Sequence, residues 1–393
     1  MKEQRRSPEI ADIFRRYGQH YRHKNMVNAQ QYKVMKRIEL CRTAALGGHV
    51  EACDHCGHTR NAYNSCRDRH CPKCQTLVKE KWLNNRKAEL LPCPYFHTVF
   101  TLPHELNPLI LVNKRVMLAL LFTAVKETLQ VFARDPQWRI EGQLGFISVL
   151  HTWNQKLMDH VHLHCIIPAG ALSFDRKKWI AARKKYLFRV QSLAKEFRKR
   201  YLTKLEKLYH KNSLSFYGRA SRYRDEKQFL QLIERLRDTQ WIAYAKQPFG
   251  GPEQVLEYFG RYTHRVALTN NRVLALDDAG VQFRYRDRSD ENKEKVLVVS
   301  AEEFIRRFLL HVLPRGFTKI RYFGFLAHAN KNTCIPLIRA LIGTIKDYAE
   351  KLVESVQEMM QRLTGVDIGC CPKCGQGTMV VGVPLGRVAF DTS

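Results

Sequence analysis

Apolar positions recur at three-to-four spacing through the first 50 residues. The stretches "PEIADIFRRY" and "NAQQYKVMKRIELCRTAAL" carry that spacing and predict two helices, which "GGH" then ends. Past the prolines of "LLPCP", the run "YFHTVFTL" over 95–102 is rich in aromatic and β-branched residues and predicts a strand. A long amphipathic segment, about 107–133, predicts a helix, and "LGFISVLHTW" predicts a second strand. Alternation becomes strict in "HVHLHCIIP" over 160–168. Strand geometry puts His160, His162, His164 and Ile166 on one face there, and Val161, Leu163, Cys165 and Ile167 on the other.

Both periods continue downstream. Residues 176–211 read as mostly helical and heavily basic, with Trp179, Tyr186 and Phe188 interleaved. "EKQFLQLIERLRD" predicts a helix over 226–238, "WIAYAKQ" a strand, and "GGPEQVLEYFGRYTHR" a helix entered through Pro252. "RVLALDDAGVQFRYRD" predicts a hairpin turned at "DDAG", followed by a strand at "KVLVV". Ser300 and Glu303 form a capping-box signature for the next helix, "TKIRYFGFL" is strand-like, and a helical tail runs to about 364. The order strand, helix, strand, strand is an α+β pattern, not an alternating parallel one. It divides the chain into a helical, cysteine-rich region at 1–92, a central region at 93–330 and a tail at 331–393.

Charge narrows the class of partner. The 393 residues include 66 Lys plus Arg against 37 Asp plus Glu, and the net +29 points to a polyanion, most often nucleic acid. No run of about 18 apolar residues argues for a membrane span, and the charged start "MKEQRRSPEIADIFRRYG" is not followed by the apolar stretch of a secretory signal. A cytoplasmic, reducing setting is therefore expected, where the 12 cysteines serve metal binding better than disulfides. In "CDHCGHTRNAYNSCRDRHCPKCQ", Cys53/Cys56 and Cys71/Cys74 are each C-x2-C. Two such knuckles complete a tetrahedral zinc site, which with four closed ligands is structural. Cys66, His70, His55 and His58 lie close by and offer other ligand choices or a second ion, and the terminal Cys371/Cys374 pair is half of a similar arrangement.

Two further groupings are chemical. The alternating imidazoles of "HVHLHC" offer a His-x-His metal strand, with a half-buried strand of solvated or hydrogen-bonded histidines as the alternative. Tyr258 and Tyr262 fall on neighbouring positions of one helix face, among Arg261, His264 and Arg265. Tyr17 and Tyr21 share that spacing with no catalytic context.

Together these pieces resemble the two-tyrosine HUH transposases of the bacterial insertion-sequence-ninety-one family. The resemblance runs through "CRTAALGGHVEACDHCGHTRNAYNSCRDRHCPKCQ", "YFHTVFTLP", "LHTWNQKLMDHVHLHCIIPAGAL", "YAKQPFGGPEQVLEYFGRYTHRVALTNNR" and "EFIRRFLLHVLPRGFTKIRYFGFLA", in the family's order. It implies an HUH-type antiparallel sheet with helices packed on it, preceded by a zinc-binding domain. It also implies rolling-circle transfer of single-stranded DNA, with His162 and His164 holding Mg2+ or Mn2+ and Tyr258 and Tyr262 as nucleophiles. His151, 11 positions before His162, is the expected third ligand by the same analogy, with His160 and Gln155 as rivals.

Three other classes compete. A plasmid relaxase or replication initiator would use the same chemistry. A non-catalytic zinc-containing DNA-binding regulator explains the charge and cysteines but leaves "HVHLHC" and "YFGRY" without a role. A zinc metallohydrolase would need a nearby acidic base, and only Asp159 lies in that block.

Overall fold

Two capped helices open the chain. α1 (Ile10–Lys24) starts at Glu9, and α2 (Ala29–Leu40) starts at Asn28, which exchanges side-chain and amide hydrogen bonds with Gln31. A hairpin of β1 (Gly48–Cys53) and β2 (Thr59–Tyr63) follows, then α3 (Pro72–Lys87) with Pro72 in its first turn. The middle of the chain contains β3 (Tyr95–Thr101), α4 (Asn107–Val112), α5 (Lys114–Phe132), β4 (Phe146–Trp153) and β5 (Asp159–Pro168). A small hairpin of β6 (Gly170–Leu172) and β7 (Trp179–Ala181) precedes α6 (Val190–His210), α7 (Glu226–Asp238) and β8 (Ile242–Phe249). Next come β9 (Val273–Asp277), β10 (Gly280–Asp287), β11 (Lys293–Val299) and α8 (Ala301–Leu310). The last elements are β12 (Ile320–Phe323), α9 (Lys331–Ile342), α10 (Val356–Thr364) and β13 (Met379–Leu385). This is a computed structural model, and it describes residues 7–182, 187–249, 254–255, 260, 267–343 and 354–388.

Five strands form the central sheet in the order β12-β4-β5-β3-β8, and every neighbouring pair is antiparallel. The expected α+β class is the one observed. Alternation along β5 decides what covers each face. Val161, Leu163, Cys165 and Ile167 enter the largest core with Leu121 and Val125 of α5, Phe197 of α6 and Leu232 of α7. Ile166 points the other way, into a second core with Ile147, Val149, Leu91, Phe325 and Ile338. A third core joins α1 and α2 to α8 and to the β9-β10-β11 sheet, with Phe14 meeting Phe308 edge-on at 5.2 Å between ring centroids. Among the described residues, no helix is long and apolar enough to cross a membrane.

Two predicted elements differ from those observed. The helix expected over 107–133 is broken at Asn113, whose side chain donates to Leu109 O and Ser215 O and accepts the Ser215 amide at 2.7 Å. That tertiary clamp competes with helix continuation, as Asn side chains do when a backbone partner is in reach. Among its described residues, the basic stretch 176–211 is helical only from Val190 onward. Phe188 is 1% exposed and stacks edge-on against Phe132 and Trp138. Trp179 packs against Phe325, and Tyr186 lies outside the described residues. Phe188 and Trp179 are thus spent on packing, so their interleaving with basic residues does not mark a base-stacking face.

Candidate active site and cysteine clusters

The pleat of β4 and β5 brings three histidines to one face. His151 pairs in register with His162, and His164 follows His162 by one pleat repeat. All three are buried, and their ligand nitrogens lie within 4.8 Å of one another. His162 Nε2 is 3.1 Å from His164 Nε2. A cation about 2.1 Å from each imidazole nitrogen holds cis nitrogens about 3.0 Å apart, so the donor set fits a metal. His160 O accepts from His162 Nδ1 at 2.8 Å. The Nδ1 proton is thereby assigned, and Nε2 keeps its lone pair for a ligand bond. Burial pushes His162 down to about 3 and His164 well below its ordinary value, with neighbouring imidazoles adding to the effect. Both rings are neutral at physiological pH, the form that binds metal.

One neighbour was not foreseen. His97 on β3 is 2% exposed, and its Nε2 lies 2.9 Å from His164 Nδ1. It occupies the place of an outer residue that orients a ligand ring. The signal was present in "YFHTVFTL", whose histidine is its one imidazole. His160 stays outside the three-histidine group, its ring centroid 4.7 Å from that of His162. Gln155 sits in the β4–β5 turn, where its carbonyl accepts Arg272.

A further buried imidazole, His311, lies beside this face. His311 Nε2 donates to Leu157 O at 3.0 Å, so Nδ1 is the acceptor for Thr152 Oγ1 at 3.2 Å. Burial lowers its pKa to about 3, below the value of about 6.5 in an unfolded chain. The stability carried by neutral His311 is complete above pH of about 6.5 and is lost as pH falls toward 3, because the unfolded chain takes the proton first. Between pH 7 and 5 the urea midpoint of the parent is expected to drop. His311→Gln should flatten that slope by up to about 1.4 kcal/mol per pH unit; an unchanged slope would refute it.

The cysteines of the expected zinc site do not meet at one point. Cys71 and Cys74 group with Cys41 and Cys66, whereas Cys53 and Cys56 group with Cys371 and Cys374. Cys41 ends α2 and Cys71 caps α3, so the first cluster is set by two helix termini and is buried against the α1–α2 core. Cys74 Sγ lies 3.6 Å from both Cys41 Sγ and Cys66 Sγ. In the second cluster, Cys53–Cys374 and Cys56–Cys371 are each 3.7 Å apart. Sulfurs about 2.3 Å from an ion at tetrahedral corners lie about 3.8 Å apart, which both clusters approach. Backbone amides of Gly377 and Gln376 hold the Cys374 thiol down to about 6.

Tyr258 and Tyr262 lie outside the described residues. Their described neighbours are placed. Val255 is fully buried in the core that covers Ile147, Val149 and Ile166, on the sheet face that bears the histidines. A Cβ on Gly260 would come within 2.9 Å of Leu83 on α3, so the chain passes close to that helix.

Comparison with known proteins agrees with the sequence resemblance. Residues 13–102 match a family described as "Transposase zinc-binding domain", and residues 145–333 match one described as "Putative transposase". The chain is 47% identical over 398 residues to "Putative transposase y4qJ" of Sinorhizobium fredii, covering 99% of this chain and 100% of that protein. It is 27% identical over 315 residues to the transposase for insertion sequence element IS801 of Pseudomonas savastanoi pv. phaseolicola, covering 76% of this chain and 70% of that protein. No solved structure matches. With a relative of this identity spanning both chains end to end, and with the zinc-binding and transposase regions in order, the chain belongs to the IS91 family of transposases.

Proposed function

We propose that this transposase nicks and rejoins single-stranded DNA at the ends of a mobile element by rolling-circle transposition, through 5′-phosphotyrosine intermediates on Tyr258 and Tyr262. The observation that carries the reading is the buried group His151, His162 and His164 on the central antiparallel sheet. These rings would hold Mg2+ or Mn2+, and an all-imidazole set favours Mn2+ over the harder ion. When bound, the ion supplies Lewis-acid stabilisation of charge on a non-bridging phosphate oxygen.

A tyrosine oxygen bonds to phosphorus as the bond to the 3′ oxygen breaks, and the phenolic proton leaves for the departing 3′-hydroxyl. The ester retains the phosphodiester's energy. Rejoining is the reverse step with a new 3′-hydroxyl and needs no nucleoside triphosphate. A second tyrosine allows a second cut while the first strand is still attached. Val255, three positions before Tyr258 in the sequence, is buried on the histidine-bearing face, and this supports the reading. Lys195, Lys199, Lys207 and Lys211 recur at multiples of four along the exposed side of α6, which supports binding to a phosphate backbone. Cys41, Cys66, Cys71 and Cys74 would hold the structural zinc of the amino-terminal domain. No substrate-bearing route crosses a membrane in this reading, and the enzyme acts on DNA in the cytoplasm.

The test is an adduct assay. Full-length protein, Mn2+ and labelled single-stranded end DNA are expected to give a denaturation-resistant adduct that Tyr258→Phe/Tyr262→Phe lacks, and each single variant should lose strand transfer. Full cleavage by both single variants would remove the tyrosines from the mechanism.

A further inference from the structure

Cysteines more than 300 positions apart meet in the second cluster, and their backbones match. Cys53–Gly57 reads "CDHCG" and Cys371–Gly375 reads "CPKCG". In each, the glycine has positive φ, 69° at Gly57 and 66° at Gly375, and its amide donates back to the carbonyl of the first cysteine, at 3.1 Å and 2.9 Å. Amides also point at sulfur in both turns. His55 and Cys56 donate to Cys53 Sγ at 3.4 Å, and Gly377 donates to Cys374 Sγ at 3.4 Å. Such donation stabilises thiolates, the form a metal binds. "CPKCQ" at 71–75 lacks the glycine and runs on into α3.

The surroundings are built for close approach. A Cβ on Gly377 would fall 2.4 Å from Cys53 Sγ, so glycine alone leaves room there. Asp54 pins the opposing turn by accepting the Thr378 amide at 2.8 Å, and β13 pairs antiparallel with β1 as the third strand of the β13-β1-β2 sheet. Yet this sheet has almost no apolar core. The buried cluster within it consists of Cys53, Cys371 and Met379, with Cys374 packed against them, while Val380, Val381 and Val383 face solvent. A three-stranded sheet so poor in buried apolar area needs another source of stability, and a metal ion is the usual one.

We infer that Cys53, Cys56, Cys371 and Cys374 form a second zinc site, separate from the amino-terminal cluster, that clasps the carboxy-terminal strand onto the amino-terminal hairpin. It extends beyond residues 13–102, the span matched by the zinc-binding family, and does not depend on the strand-cleavage reading. Elemental analysis of the purified full chain is expected to find two zinc ions per molecule. Cys371→Ser/Cys374→Ser should keep one, and Cys370→Ser, one residue away from the cluster's edge, should keep both. Unchanged zinc in the double variant would overturn the assignment, as would a parent holding a single ion that the double variant retains. Thiol alkylation of the unmodified parent avoids any folding defect in the variants. Cys56 and Cys374 should resist labelling, relative to Cys370, until a chelator is added, and labelling of all three at one rate beforehand would overturn it equally.

Discussion

Replacing His164 with alanine is expected to slow cleavage of single-stranded end DNA by about a thousandfold, the equivalent of about 4 kcal/mol in the barrier. The residue is central to the group. Its Nε2 faces that of His162 at 3.1 Å, its ring centroid is 4.6 Å from that of His151, and its Nδ1 meets His97 at 2.9 Å. Two rings remain after the substitution, too few to fix a cation that must also take oxygen ligands from a phosphate. His97→Ala tests the orienting contact separately. It should weaken Mn2+ affinity by about ten- to a hundredfold while leaving the rate at saturating Mn2+ close to the parent's. A metal titration of single-turnover cleavage separates the two outcomes. Parental rates in His164→Ala would dismiss the metal assignment, and a lowered plateau with unchanged affinity in His97→Ala would place that ring in the chemistry.

Local pattern carried much of this arrangement. Period-two alternation placed β3 and β5, and with them the shared face of His162 and His164, because a pleat leaves each side chain one direction to point. The helix over 226–238 was legible to the residue, since Asp225 caps it by accepting the Gln228 amide. Partners far apart in sequence were harder to read. His97 reaches His164 only through the β3–β5 register, and no local pattern states which strands will be neighbours. The cysteines failed for the same reason. Nearness along the chain favoured Cys53/Cys56 with Cys71/Cys74, yet α3 begins at Pro72 and turns the second pair toward the end of α2. One local clue was available: the glycine that follows Cys56 and Cys374 but not Cys74 separates the two kinds of turn. Half of the Ser300 capping signature also holds. Ser300 accepts the Glu303 amide, while the Glu303 carboxylate pairs with Arg306 and Arg307 instead of returning to the cap.

Loss of the first cluster is expected to reach the central sheet, although none of its cysteines lies in it. Between Cys66 and Cys71 the chain presents Arg69 and His70. Arg69 donates to Phe317 O and, at 2.9 Å, to Pro314 O, and His70 Nε2 accepts the Leu313 amide at 3.2 Å. Asp68 fixes the His70 ring by accepting from its Nδ1 at 2.9 Å, which leaves Nε2 as the acceptor. These contacts brace the segment from α8 to β12, and β12 pairs along β4, the strand bearing His151. Cys71→Ser removes a buried thiol of the proposed zinc site, and metal loss is among the few single changes that cost about 4 kcal/mol or more. The variant should unfold at markedly lower temperature than the parent, lose one zinc, and show fast amide exchange over 311–319. Exchange at the parental rate in that segment, with zinc gone, would mean that the Arg69 and His70 brace holds without its cluster and that the cluster does not act on the sheet through it.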